Sequence, residues 1–125
     1  MRLALIDTDC VIYALTAQFP ALRARLEDRE PGTVAISSIN FAEIALGTTN
    51  GKLPSPAMLD RFVAVIPVLP FDEAAARAYA TLPFKRAKLD RLLAAHALSL
   101  DAIVVTNNGA DYADIPNLRV ENWTV

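Results

Sequence analysis

The sequence is poor in the residues that build covalent staples and soft-metal sites. Of its 125 residues, one is cysteine (Cys10) and one is histidine (His96). A lone cysteine gives no disulfide framework and no cysteine zinc cluster. With a single histidine beside it, a His/Cys transition-metal site is all but excluded. No apolar run reaches the roughly 18–20 residues that a membrane span needs. The opening Met1–Ile6 is broken by Asp7 and is too short for the apolar core of a secretion signal. Low-complexity stretches, internal repeats and linkers are absent. These absences suit a soluble, cytoplasmic protein. An excess of positive charge is also missing: 12 Lys and Arg against 14 Asp and Glu give −2. Taken alone, that balance argues against a nucleic-acid binder, because phosphate contacts need cations.

What is present is apolar: 54 % of residues are hydrophobic and 21 % charged. That composition excludes disorder. The length suits one domain over residues 1–125, able to bury about two-thirds of its unfolded surface.

Short apolar runs at Leu3–Ile6, Thr33–Ile36 and Ala102–Thr106 read as buried strands. Val65–Leu69 carries Pro67, which suits an edge, and Leu118–Val120 reads as a last short strand. Between them lie helical patterns over Val11–Gln18, Ala21–Arg29, Phe41 to Leu46 ended near Gly47, Ala57–Val65, Asp72–Thr81 and Asp90–Leu100. Asn107–Asp111 reads as a turn. Alternating strand and helix predicts an α/β fold with a mainly parallel central sheet flanked by helices. In such sheets ligands sit beyond the carboxyl ends of the strands.

Acids stand at those ends. Asp7 follows the first strand, Glu43 lies one turn into the helix after the second, and Asp111 follows the fourth. Asp90 opens the helix that feeds the fourth. Each has a plain structural alternative. Asp7 suits a helix cap, and Glu43 has capping-box spacing from Asn40. Asp90 suits a helix dipole, and Asp111 suits a turn. Converging carboxylates need neutralising. Hard divalent ions with oxygen ligands, Mg²⁺ or Mn²⁺, do this. Their usual chemistry in such sites is phosphodiester hydrolysis.

The segments Leu5-Ile6-Asp7-Thr8-Asp9, Ile36-Ser37-Ser38-Ile39 with Ala42-Glu43-Ile44, Asp90-Arg91-Leu92-Leu93-Ala94-Ala95-His96 and Val104-Val105-Thr106-Asn107-Asn108 with Asp111-Tyr112 resemble the PIN domain. The ending Ile115-Pro116-Asn117-Leu118-Arg119-Val120-Glu121-Asn122-Trp123 is similar to the tail of its VapC toxins. The resemblance runs in order from residue 3 to 123. It implies a metal-dependent endoribonuclease, the toxin of a type II toxin–antitoxin pair. Its partners would be a VapB-like antitoxin and an RNA substrate, in a homodimer and a toxin–antitoxin hetero-oligomer. Asp7, Glu43, Asp90 and Asp111 match the family's acidic quartet, with Asp7, Asp90 and Asp111 as metal ligands. Thr106 and Asp9 match supporting positions. Asn108 departs from the pattern, since many PIN domains have Asp there. Asparagine offers only a neutral carbonyl oxygen, so the number of ions stays open.

Lys85, Arg86, Lys88 and Arg91 surround Asp90 in sequence and are candidates to grip the RNA backbone. No stacking aromatic stands out near them. His96 lies about 120° round its helix from Asp90, so it reads as a packed residue rather than a base. Cys10 reads as a small hydrophobe and Trp123 as a core or interface anchor. The apolar helices over residues 11–18 and 21–29 suit ordinary core, a groove for an antitoxin helix, or a dimer face.

Two competing functions fit parts of the chain. Asp7-Thr8-Asp9-Cys10-Val11 fits the motif of haloacid-dehalogenase-like phosphatases, but leaves Glu43 and Asp90 unexplained. A module that binds RNA or a partner without cutting is the other. The charge argument also changes under the acidic-site reading: four of the 14 acids in one site leave ten to face 12 cations.

Overall fold

Three short apolar runs become the middle of the sheet because both of their faces are covered. β1 (Ala4–Ile6), β2 (Val34–Ser37) and β4 (Ile103–Val105) are buried at every position. β3 (Val68–Leu69) and β5 (Arg119–Glu121) are partly exposed and form the edges. The order is β3-β2-β1-β4-β5, and all four pairings are parallel. A computed structural model describes residues 1–85 and 88–125 of the chain. Pro67 stands just before the short edge strand, where its missing N–H costs nothing, and its carbonyl accepts from the Ile36 N–H at 3.0 Å.

Among the described residues, six helices cover the two faces. On one face α1 (Thr8–Leu15), α2 (Pro20–Glu27), α3 (Ser38–Thr49) and α4 (Pro56–Val65) pack on Ala4, Ile6, Val34, Ile36, Ile103 and Val105. On the other, α6 (Leu89–Leu100) packs Leu93, Ala94 and Ala97 on Leu5, Ala35 and Val104. α5 (Glu73–Tyr79) lies against α6, and a 3₁₀ helix over Gly109–Tyr112 follows β4. Alternate residues of each strand thus feed opposite cores, as period-two geometry requires.

α3 runs through Gly47 to Thr49 rather than ending near it. The stop is the Asn50-Gly51 pair: Gly51 takes φ +83°, and the Lys52 N–H returns to the Gly47 carbonyl at 2.9 Å. An interior glycine weakens a helix by roughly 1 kcal/mol, which is too little to end one. Trp123 is 1 % exposed. Its indole N–H donates to Glu121, and the guanidinium groups of Arg25 and Arg29 each lie 5.2 Å from its ring centroid.

The chain leaves β1 outward through β2 and β3, then crosses to β4 and β5 on the other side of β1. The carboxyl ends of β1 and β4 therefore bound the point where strand order reverses. Open α/β sheets place their ligands at that crevice.

Candidate active site

Asp7 stands at that reversal point. Its N–H donates to the Val105 carbonyl at 3.0 Å, which continues the β1–β4 ladder by one residue. Its Oδ1 accepts from the Cys10 N–H at 2.8 Å and caps α1. Capping and site geometry coexist, because the cap uses one carboxylate oxygen. Burial pushes the Asp7 carboxyl above the usual range, while the Thr106 hydroxyl and the Cys10 N–H pull it back. Thr106 is 1 % exposed and also accepts from the Asn108 N–H at 3.1 Å.

Glu43 reaches the site from α3. The N-cap of this helix is Ser37, whose Oγ accepts from the Ile39 N–H at 3.1 Å. Asn40 is therefore interior, and Glu43 has no capping task. Instead, the buried Asn40 donates through Nδ2 to the Thr8 Oγ1 at 2.9 Å, and Thr8 donates to the Glu43 Oε1 at 2.5 Å.

Asp90 is the second residue of α6. The cap position is Lys88, which makes no side-chain cap bond. The Asp90 carboxyl is pushed up by burial, then by the charge of Asp111 and a hydrogen bond with it, then by Asp7 and Glu43. Asp111, Asp7 and Glu43 thus all lie within electrostatic reach of Asp90. Asp111 comes from the 3₁₀ helix, and its Oδ2 accepts from the Asn108 Nδ2 at 2.6 Å. Asn108 acts here as a neutral donor to an acid. Asp9 is exposed on the first turn of α1 and adds only a weak repulsion to Asp7.

Among the described residues, no Lys or Arg pairs with Asp7, Glu43, Asp90 or Asp111. Among those residues, no three Asp, Glu, His or Cys side chains are grouped so as to hold a metal ion. Mg²⁺ keeps several waters and is bound through one or two carboxylates plus substrate phosphate rather than a protein cage, and these acids are compatible with that mode of binding alone.

The basic residues divide. Lys85 and Lys88 are exposed, with the Lys85 Nζ 3.7 Å from Asp114. Arg86 lies outside the described residues. Arg91 is not placed as a phosphate grip: it is 1 % exposed, and its guanidinium is taken up by Asp114 and the Pro83 carbonyl. His96 is 2 % exposed, with Nδ1 2.8 Å from the Ser37 Oγ and its ring edge-on to Phe71. Burial lowers its pKa and keeps it neutral.

One residue at the site figures in the sequence reading only as part of a motif, with no role of its own. Tyr112 is 2 % exposed, and its buried hydroxyl has no hydrogen-bond partner. Burial raises its pKa first, and the Asp90, Asp7 and Asp111 charges add to the rise. Its place directly after Asp111 was the available signal.

An all-parallel sheet with acidic residues gathered about its reversal point defines an α/β domain with an acidic site. The PIN domain model matches residues 4–118, and the chain belongs to the PIN domain family. Relatives within that family include VapC proteins. It is 30 % identical to Ribonuclease VapC2 of Rickettsia felis, over 95 % of this chain and 96 % of that protein. It is 29 % identical to the tRNA(fMet)-specific endonuclease VapC of Shigella flexneri, over 96 % and 97 %. The solved structure of VapBC2 from Rickettsia felis bound to a promoter DNA fragment superposes with a TM-score of 0.86 at 29 % identity, covering 97 % of this chain and 98 % of that one.

Proposed function

We propose that this protein is a Mg²⁺-dependent endoribonuclease, with Mn²⁺ as a substitute, and the toxin of a VapBC-type pair. The observation that carries the proposal is the meeting of Asp7, Glu43, Asp90 and Asp111 with no cation paired to them among the described residues. RNA as the substrate class follows from the ribonuclease and tRNA endonuclease relatives.

Asp7, Asp90 and Asp111 would hold the ion, drawing together around it, since no three acids among the described residues are grouped to hold one in its absence. When bound, it supplies a lower pKa for a coordinated water and neutralises charge building at phosphorus. Glu43, oriented by Thr8, takes the proton or aligns the water. Asp7 is fixed by the β1–β4 ladder and the α1 cap, so it is the anchored member of the donor set. The 2′-OH has no task in this scheme, and the products are 5′-phosphate and 3′-OH ends. The phosphatase alternative gives Glu43, Asp90 and Asp111 nothing to do.

The antitoxin's place is a groove of about 570 Å³ between α1, α2 and α4, away from the acids. Leu15, Leu26, Met58, Phe62 and Val65 line it, with Arg23, Glu27 and Arg61 among its other residues. An amphipathic helix with an acidic rim fits that chemistry. The related VapBC complex is the support for a partner of this kind.

The test is to incubate purified protein with RNA in Mg²⁺ and in EDTA and to map the cleaved ends. Cleavage in Mg²⁺ alone, lost in Asp7→Ala/Asp90→Ala, supports the proposal. Ends carrying 2′,3′-cyclic phosphate, or cleavage undiminished in the double variant, overturn it. Binding without cleavage favours the non-cutting module.

A further inference from the structure

Just before α6, the chain leaves a phenylalanine in water. Phe84 is 79 % exposed, whereas Leu82, two residues earlier, packs into the core. Phe84 is one wall of a slot of about 190 Å³, completed by Tyr79, Ala80, Leu82 and Pro83. The slot is smaller than the roughly 300–1,000 Å³ of sites that enclose whole small molecules. It suits one planar ring rather than a helix face.

The slot is fastened to the acidic site. Arg91 follows Asp90 in the first turn of α6, and its Nη2 donates to the Pro83 carbonyl at 3.0 Å. The backbone one residue before Phe84 is therefore tied to the turn that carries Asp90. Lys85 and Lys88 are exposed on the segment that joins Phe84 to α6. An apolar protein partner would find cations at the rim of this surface. A nucleic acid finds a ring to stack on and charges for its phosphates, which is how single strands are held.

We infer that Tyr79 and Phe84 form a nucleobase slot that stacks one unpaired base of the substrate beside the acidic site, with Lys85 and Lys88 meeting the adjoining phosphates. The inference rests on the RNA reading of the acidic site and adds where the substrate is held.

The probe is a short single-stranded RNA carrying one 2-aminopurine, titrated in EDTA so that no cleavage occurs. Wild-type protein is expected to quench the 2-aminopurine on binding. Phe84→Ala is expected to abolish the quench and weaken binding about 10- to 100-fold, and Phe84→Trp to restore both. Melting temperature and oligomeric mass should not change in Phe84→Ala. Wild-type binding by Phe84→Ala, no rescue by Phe84→Trp, or a Phe84→Ala protein with smaller oligomeric mass each overturns the slot. The last would mark Phe84 as a contact between copies. A wild-type protein that cuts RNA in Mg²⁺ while Phe84→Ala binds normally refutes the slot and leaves the nuclease standing. A wild-type protein that neither binds nor cuts refutes the nuclease reading itself.

Discussion

The Arg91 guanidinium closes on the Asp114 carboxylate through two parallel hydrogen bonds, Nη1 to Oδ1 at 2.9 Å and Nη2 to Oδ2 at 2.6 Å. Arginine is buried in this pair and aspartate is not, so the two partners differ in what their loss leaves behind. Arg91→Met strands a solvated carboxylate and the Pro83 carbonyl and should cost about 2 kcal/mol, the worth of hydrogen bonds to charged groups. Asp114→Asn leaves a buried positive charge without its anion and should cost more. Denaturant unfolding of both variants gives the order, and the reverse order would refute a buried clamp.

The same pair sets a pH dependence. The Arg91 hydrogen bonds hold the Asp114 carboxyl at about 2 against an ordinary 3.8. A carboxylate depressed in the folded state stabilises above its unfolded value and loses that stability as pH falls through its folded value. Melting temperature should therefore drop between about pH 4 and pH 2. The drop should be smaller in Asp114→Asn.

The site acids act in the opposite sense. Asp7 and Asp90 are raised in the folded protein by burial, so folding favours their protonated forms. Their cost is absent below the unfolded carboxyl range and grows as pH rises above it. At neutral pH without metal, Asp90→Asn should melt a few degrees higher than wild type. Millimolar Mg²⁺ should raise the melting temperature of wild type and barely move the variant. Equal shifts in both proteins would count against Asp90 as a ligand.

Tyr112→Phe removes one oxygen. Because that hydroxyl is buried without a partner, the metal-free variant should be more stable by about 1 kcal/mol. A loss of stability instead would show that the hydroxyl has a partner in solution.

Thr8→Val keeps the side-chain shape and cuts the link from Asn40 to Glu43. RNA cleavage should slow by about 10- to 100-fold, part of what a positioned acid or base contributes. Thr8→Ser should retain most of the rate. Equal rates in Thr8→Val and wild type would remove Thr8 from the site.

The strands were legible because burial on both faces leaves continuous apolar runs, such as Ala102–Thr106. The candidate quartet came from strand-end positions for Asp7, Glu43 and Asp111 and from family resemblance for the set with Asp90. Arg91 was misread because the residue that claims it, Asp114, lies 23 positions downstream, and no local pattern announces such a pair. Glu43 and Asn40 have capping-box spacing, yet Ser37 one turn earlier is the cap. Phe84 was overlooked because sequence does not distinguish an aromatic left in water from one turned inward. Gly47 misled because the real stop, Asn50-Gly51, came three residues later.

Ala4 pairs with Ile103, and the Asp7 N–H bonds to Val105. The strand that carries the first acid and the strand that fixes it are thus separated along the chain by two other strands and all six helices among the described residues. Such a pairing has a large loop-closure entropy to overcome and forms late in folding. The acidic site is therefore a product of sheet closure, assembled after the local helices rather than with them.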